Sequence, residues 1–453
     1  MAQPKSVYRL SCKVQEYDWG KGGSSSLVAQ LAPNAKGPAF TLNKDGSYAE
    51  LWVGTHPNAP SDLFASTFCP VPDVSVSLHS ILSSHPDQLL GSALLKKWPG
   101  VHQLPYLFKV LSIAKALPLQ AHPDRKLGEQ LHKKDSETYV DENHKPEIAV
   151  VIGEPGAAEW IPFDGKEDKV GFTGFVGFRP FEEIVEFVTK VPELINAIGN
   201  NNVIAAFVSN PSKETLKDVW SSLLERGKNE TEAVGEQVKT LVKRLKSTGN
   251  VNEFRDTRPY ARLLEKVDEQ YKGDVGVLAT TFFMNFVQLK QGEAIWIPAD
   301  EVHAYLEGDI IECMATSDNV VNASFAPPET RDIHTFSSML TYSAHPWTHW
   351  SLPRKPYGHS RYGLTHAYAP PLPEFIVLST NLESGKESEV LGKVDGPTCG
   401  IVTDGEVILR VEGEEAMELE RGTVVFVAPG KDIEVTSKVK DGKTAVWWAT
   451  CFA

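Results

Sequence analysis

Cysteine is sparse and unpaired in this sequence. The five residues Cys12, Cys69, Cys313, Cys399 and Cys451 are scattered over 453 positions with no CxxC pair, so neither a disulfide framework nor a thiolate zinc site is indicated. They read as buried free thiols. Long apolar runs are missing as well. The longest, IAVVI near 150 and AVWWA near 448, fall far short of the roughly 20 residues that span a bilayer. The N-terminal stretch MAQPKSVYRLSCKVQEYDWG has no apolar segment of signal-peptide length. A soluble, cytosolic chain is expected. Positive charge is also in short supply: 45 Lys and Arg stand against 59 Asp and Glu, for a net charge of −14, and no long basic run occurs. This argues against nucleic acid or anionic membranes as the main partner. An anionic small ligand would have to be met by a few cations gathered locally.

At about 150 residues per domain the length suggests roughly three domains, and the hydrophobic patterning divides the chain accordingly. Residues 1–178 are dominated by short apolar runs broken by Gly and Pro, such as YAELWVGTHP, YLFKVLSI and EIAVVIGEP, which read as strands, with helical turns at 87–97 and 124–133. Residues 179–270 change to helical spacing. Pro180 stands at a first helical turn before Phe181, Ile184, Val185 and Val188, and Asn210-Pro211 reads as an N-cap and first position before Leu216, Val219, Trp220, Leu223 and Leu224. Further faces follow at Val234, Val238, Leu241, Val242 and Leu245, then at Tyr260, Leu263, Leu264, Val267 and Tyr271. After Gly273 the run VGVLATTFFMNFVQL reads as a return to strands, so that 271–340 resumes the first β-rich unit. The segment 340–363, rich in His, Trp, Pro and Tyr, reads as a packed crossing loop. EFIVLST, EVILRV and GTVVFVAPG then predict a second β-barrel within 341–453.

Three phrases carry chemistry. In LPLQAHPD, Gln120 and His122 are two apart, which on a strand turns both to one face. In HKPEIAVVI, Glu147 stands at the mouth of a strand, with Pro146 fixing the backbone before it. In GEAIWIPADEVHAYLEGDIIE, a strand ends in a Pro turn and restarts at His303, with Tyr305 on the same face. One amide oxygen, one carboxylate and two imidazoles make a nitrogen and oxygen set that suits Zn²⁺, and Mn²⁺ or Fe²⁺ would also be held. The loop GKGGSSS lacks the spacing of a nucleotide-binding phosphate loop.

The stretches LFKVLSIAKALPLQAHPDRKLGEQLH, DENHKPEIAV and GEAIWIPADEVHAYLEGDIIECMATSDN, with YDWGKGGSSSLVAQL, YAELWVGTHP and GFRPFEEI, resemble the type I phosphomannose isomerases. The resemblance implies a mainly β fold with a helical insertion: a cupin (jelly-roll) catalytic barrel made of 1–178 and 271–340, a helical domain at 179–270, and a C-terminal β-barrel at 341–453. It implies one Zn²⁺ per chain on Gln120, His122, Glu147 and His303. It places Lys109, Lys145, Glu50, Tyr305 and Glu312 in the pocket: Glu312 or a zinc-bound hydroxide as the base, Tyr305 or Lys145 as the partner acid, and Lys109 and Glu50 at the substrate, where Trp19, before the Gly-Lys-Gly-Gly loop, is a further candidate. The implied reaction interconverts mannose 6-phosphate and fructose 6-phosphate, feeding mannose and GDP-mannose metabolism. The partner is then a small sugar phosphate, and the chain is taken as a monomer. One departure stands out. The family pattern SDNxVRAG reads SDNVVNAS here, so Asn322 occupies the place of an arginine, and Arg331 in APPETRD is the cation expected to supply the charge.

An aldose–ketose isomerisation requires stabilisation of an enediolate, which a cation held by mostly neutral ligands supplies as a Lewis acid. Two other readings compete. An iron-dependent dioxygenase would use a face of two histidines and one carboxylate, against which the extra glutamine argues. A non-catalytic sugar-binding protein would not need the acids and cations gathered around the metal phrases.

Overall fold

The computed structural model describes residues 4–37, 40–64, 76–163, 165–248, 257–384 and 387–452. Cys69 lies outside them, and the other four cysteines are buried free thiols, as expected. The chain is mainly β with a helical insertion. One ten-stranded sheet collects strands from Lys13–Gln15 to Val321–Ser324, and an eight-stranded sheet and a four-stranded sheet collect those of the C-terminal third. Among the described residues, the ladders do not close either large sheet into a ring.

The ten-stranded sheet is organised around the 13-residue strand His303–Ala315. Its first half pairs with Phe172–Phe178 and, through His303, with Leu119–Ala121; its second half pairs with Tyr106–Ile113 and Glu147–Val151. The change of partners falls at Gly308. Its φ is +126°, and a Cβ there would strike the Gly171 carbonyl, so only glycine lets the strand bend at this point.

Strands buried on both faces read as continuous apolar runs, and Tyr106–Ile113 is buried at all eight positions. Alternation still sorts its side chains. Tyr106, Phe108 and Val110 pack with Ile148, Val150, Ile311 and Cys313 against Phe375, Val377, Cys399, Phe426 and Trp447 of the C-terminal sheet. Leu111 and Ile113 turn the other way, joining Ala149, Val151, Ile310, Tyr305 and Trp19 in the interior of the ten-stranded sheet. Lys109, Glu147 and Glu312 share that inner face by period two.

The helical insertion comprises Phe181–Lys190, Pro192–Ile198, Asn201–Ser209, Lys213–Asn229, Thr231–Thr248, Thr257–Gln270 and Val275–Phe283. Leu216, Val219, Trp220, Leu223 and Leu224 are all fully buried, the face that their spacing predicts. Two expectations are corrected. Asn210-Pro211 does not open the long helix: Asn210 closes the preceding one, and Ser212 is the cap, in a capping box with Thr215 that satisfies both backbone N–H groups. Residues 275–283 are a helix rather than a strand, capped by Asp274 and buried all round, so no polar face betrays the helical period.

The strand Val7–Ser11 does not join the ten-stranded sheet. It pairs antiparallel with Val424–Val427, and on its other edge with Asp62–Leu63, in the sheet of the C-terminal third. The segment 340–363, expected to be a packed crossing loop, is largely exposed and contains the 3-10 turn Trp347–Trp350 and the short strand Lys355–Pro356; Trp350 is its buried anchor and lies against Gly177.

Candidate metal centre and its pocket

His303, Gln120 and Asn322 form a row across three neighbouring strands, since Gln120 is directly opposite His303 on one side and Asn322 on the other. Directly paired residues of an antiparallel ladder point to one face, so the row faces the interior. His122 follows two residues after Gln120, and Glu147 opens the strand Glu147–Val151. These elements bring His122, Glu147 and His303 together, all buried, with ligand atoms within 4.8 Å of one another.

The hydrogen bonds around the two imidazoles fix their chemistry. His122 Nδ1 is 2.9 Å from the Asn319 carbonyl oxygen and His303 Nδ1 is 3.1 Å from that of Glu301. A carbonyl only accepts, so each Nδ1 carries the proton, and each Nε2 of the neutral ring is a bare acceptor. His122 Nε2 lies 3.3 Å and His303 Nε2 3.6 Å from the Glu147 oxygens, and neither has a hydrogen-bond donor. Burial pushes both imidazoles below their ordinary pKa, His303 to about 4, which favours the neutral form. Burial acts on Glu147 in the opposite sense, and the Lys145 ammonium 3.7 Å away opposes it in favour of the carboxylate. Lone pairs converging in a buried site repel unless a cation lies among them. The donor set therefore fits a metal ion, and the backbone carbonyls on the Nδ1 atoms are the kind of outer support that aims ligating histidines.

A charged group lies beside this cluster. Lys109 is opposite Glu312 on one neighbouring strand and Trp52 on the other. Its Nζ is 3.0 Å from Glu312, 3.6 Å from Glu50 and 4.8 Å from the centre of the Trp52 ring. The Trp52 indole N–H donates to Glu50. Burial acts to lower the Lys109 pKa, but Glu312 and Glu50 more than reverse it, so the ammonium stays charged. Burial pushes Glu312 up to about 7; Lys109 opposes this, and the Glu147 and Glu50 charges add to it. Lys145 Nζ is 3.7 Å from Glu147. Tyr305 is fully buried, its ring 5.7 Å from that of His303, and burial with the Glu147 charge raises its hydroxyl well above the pKa of free tyrosine. Trp19 is buried in the same apolar cluster as Tyr305 and stacks on the exposed Tyr17.

Arg331 has other partners. Its guanidinium is 2.7 Å from Asp274 and donates to the Ala326 carbonyl, while its backbone bridges to Asn322. The Asn322 side-chain oxygen is buried without a donor.

Four contributors carry no signal in the sequence reading above: Trp52, the carbonyls of Asn319 and Glu301, and the His56–Asp318 pair at 3.2 Å beside the Trp52 ring. Trp52 was the most accessible, being two residues from Glu50 on one strand. The carbonyls leave no trace in residue type.

Known proteins agree with this architecture. The family model for the catalytic domain of type I phosphomannose isomerase matches residues 7–161, and that for its helical insertion domain matches 193–284. The mannose-6-phosphate isomerase of Cryptococcus neoformans is 37% identical, over 95% of this chain and 96% of its own. The chain belongs to the type I phosphomannose isomerase family. Two further members, mannose-6-phosphate isomerase from Saccharomyces cerevisiae and mannose-6-phosphate isomerase 2 from Arabidopsis thaliana, are 35% and 36% identical, covering 95% and 96% of this chain and 96% and 91% of theirs. In fold the chain is similar to a solved mannose 6-phosphate isomerase bound with zinc and yttrium, with TM-score 0.76, 23% identity, and coverage of 99% of this chain and 100% of that one. A mutant phosphomannose isomerase from Salmonella typhimurium gives TM-score 0.75 at the same identity and coverage.

Proposed function

We propose that this chain is a zinc-dependent aldose–ketose isomerase that interconverts D-mannose 6-phosphate and D-fructose 6-phosphate. The relatives' names supply mannose 6-phosphate, whose ketose isomer at C1 and C2 is fructose 6-phosphate. The observation that carries the metal is the convergence of two bare imidazole nitrogens on the Glu147 carboxylate, with Gln120 beside them in register with His303. Gln120, His122, Glu147 and His303 would hold one Zn²⁺. When bound, the ion supplies Lewis-acid polarisation of the sugar carbonyl and hydroxyl oxygens.

The chain's own residues then divide the proton work. A base removes the proton on C2 of the aldose, the electron pair forms the C1–C2 double bond of an enediolate, and the proton returns to C1. A second group takes the proton of the C2 hydroxyl and supplies one to O1. Glu312 suits the base: a carboxyl raised to about 7 is matched to proton abstraction near neutrality, and a positioned base contributes about 10²- to 10⁴-fold. Tyr305, kept protonated by burial, and Lys145 suit the exchange between oxygens. Lys109, Glu50 and Trp19 bind substrate. Lys109 and Lys145 are the cations beside the metal cluster, and they suit the phosphate and the oxygens near it. Arg331 stays a candidate only through its backbone bridge to Asn322, since its guanidinium is held by Asp274 and the Ala326 carbonyl.

The proposed units are a catalytic one of 1–178 and 271–340, a helical one of 179–270, and a C-terminal one of 341–453. Sheet membership supports this division for the strands, except that Val7–Ser11 and Asp62–Leu63 lie in the C-terminal sheet, while the helix Val275–Phe283 falls with the helical unit. Buried free thiols support a reducing, cytosolic setting. A monomeric state is supported by the scatter of the exposed large apolar residues, Tyr17, Leu42, Val140, Tyr362 and Phe452, over separate elements, and light scattering tests it.

The experiment is a coupled assay of mannose 6-phosphate conversion, with metal analysis, before and after chelation. Activity is expected to fall with zinc content and to return with added zinc. His303→Ala is expected to lose both zinc retention and turnover; a zinc-free protein with full turnover refutes the proposal.

A further inference from the structure

We propose that Glu374, a residue of the C-terminal unit, positions the active-site loop that carries Lys145. For its kinetic arm this rests on the function proposed above; its structural arm does not. The loop from Asp141 to Pro146 is irregular and delivers Lys145 and then Glu147 to the site. Most of its fastenings lie within the catalytic unit. Asp141 accepts from Ser317, from the Asp318 backbone and from Asn319; Asn143 donates to the Thr316 carbonyl at 2.9 Å; the Pro146 carbonyl accepts from the Ala315 N–H.

His144 is fastened differently. Its Nε2 lies 3.0 Å from Glu374 Oε1, which also takes Arg125 at 3.3 Å. Glu374 stands just before the strand Ile376–Ser384 of the eight-stranded sheet, its side chain only 8% exposed. Its other oxygen is buried without a donor. Burial raises the Glu374 carboxyl, but His144 and Arg125 more than offset this, so the carboxylate is charged. A buried carboxylate with one unsatisfied oxygen is costly to keep. Here it holds the ring next in sequence to Lys145, whose Nζ is 3.7 Å from the ligand Glu147. The C-terminal unit thus reaches past its own core to hold an element of the catalytic wall, and Glu374 is a positioning residue rather than a catalytic one.

The test is Glu374→Gln in the full-length zinc-loaded protein, read by amide hydrogen exchange, zinc content and kinetics. Exchange is expected to rise in the peptide spanning 141–146, with the strands 398–404 and 441–450 as protected as before and zinc retained. Outer residues that orient a site typically matter by about 10- to 100-fold, so kcat is expected to fall about tenfold with a smaller change in KM. Glu374→Asp should recover part of the loss. His144→Ala should open the same peptide, and adding it to Glu374→Gln should cost little more. Unchanged exchange at 141–146 in either variant overturns the proposal, as does a double variant whose losses simply multiply. If Glu374→Gln fails to fold, His144→Ala alone decides on the same exchange readout. An inactive parent protein would sink the isomerase reading while leaving the exchange result to judge the latch.

Discussion

Glu312 and Lys109 show how burial and charge set a group's working state. Glu50, Glu147 and Glu312 share the surroundings of two ammonium groups, Lys109 and Lys145, which leaves these five residues one negative charge in excess when all are ionised. A divalent cation turns that excess into one positive charge and makes the pocket receptive to an anionic sugar phosphate. If Glu312 is the base it must be ionised, and with its pKa raised to about 7 the ionised fraction grows as pH rises through 7. The expected kcat/KM profile therefore climbs with pH in that window. Glu312→Gln should remove the limb and lower turnover by about 10²-fold or more; a variant that keeps the limb assigns it to another group. Arg331 needs a two-part measurement. Its bond to Asp274 is nearly buried on both sides, so Arg331→Ala strands a carboxylate and is expected to cost about 3 kcal/mol in urea denaturation. Only a loss of kcat per folded molecule, beyond that, speaks for a role at the sugar.

The elements differ in how openly the sequence announced them. Lys213–Asn229 was legible because one face is apolar and the other charged, whereas Val275–Phe283 is buried at every position and its β-branched run resembles a strand. At the site, the period-two spacing of Gln120 and His122 was readable, as was His303 opening a strand. The register joining them was not, because it depends on pairings between residues nearly 200 positions apart. Gly177 shows how little the sequence says about a strand's finer shape. It has φ +54° at a break in the register of Phe172–Phe178, its N–H bonds the Val302 carbonyl, and an added Cβ would lie 2.0 Å from the Trp350 ring. Gly177→Ala is expected to destabilise by about 2 kcal/mol or more. Since Val176 is paired with His303, zinc retention measured on the same protein should weaken too.

At the scale of the molecule, the catalytic and C-terminal units are one continuous core. Phe108, Val110 and Ile148 on the back of the ten-stranded sheet pack against Phe375, Phe426 and Trp447, and Tyr106 donates its hydroxyl proton toward the Pro397 and Ala449 carbonyls. The strand Val7–Ser11 fastens the two again, with Tyr8 and Leu10 fully buried. Removing residues 1–11 is expected to leave Val424–Val427 with an open edge and to drive association, read as a shift to larger species in size-exclusion chromatography. A monomeric product of parental melting temperature would show that the strand is dispensable.

The pairing of Val7–Ser11 with Val424–Val427 also orders events during synthesis. Val7–Ser11 can pair early only with Asp62–Leu63 on one edge, and its other edge waits for a strand made far later in the chain. Until then that edge of the strand stays open and within reach of chaperones. A polypeptide that stops before residue 424 keeps that edge open, and so carries, far from the break, a mark of being unfinished.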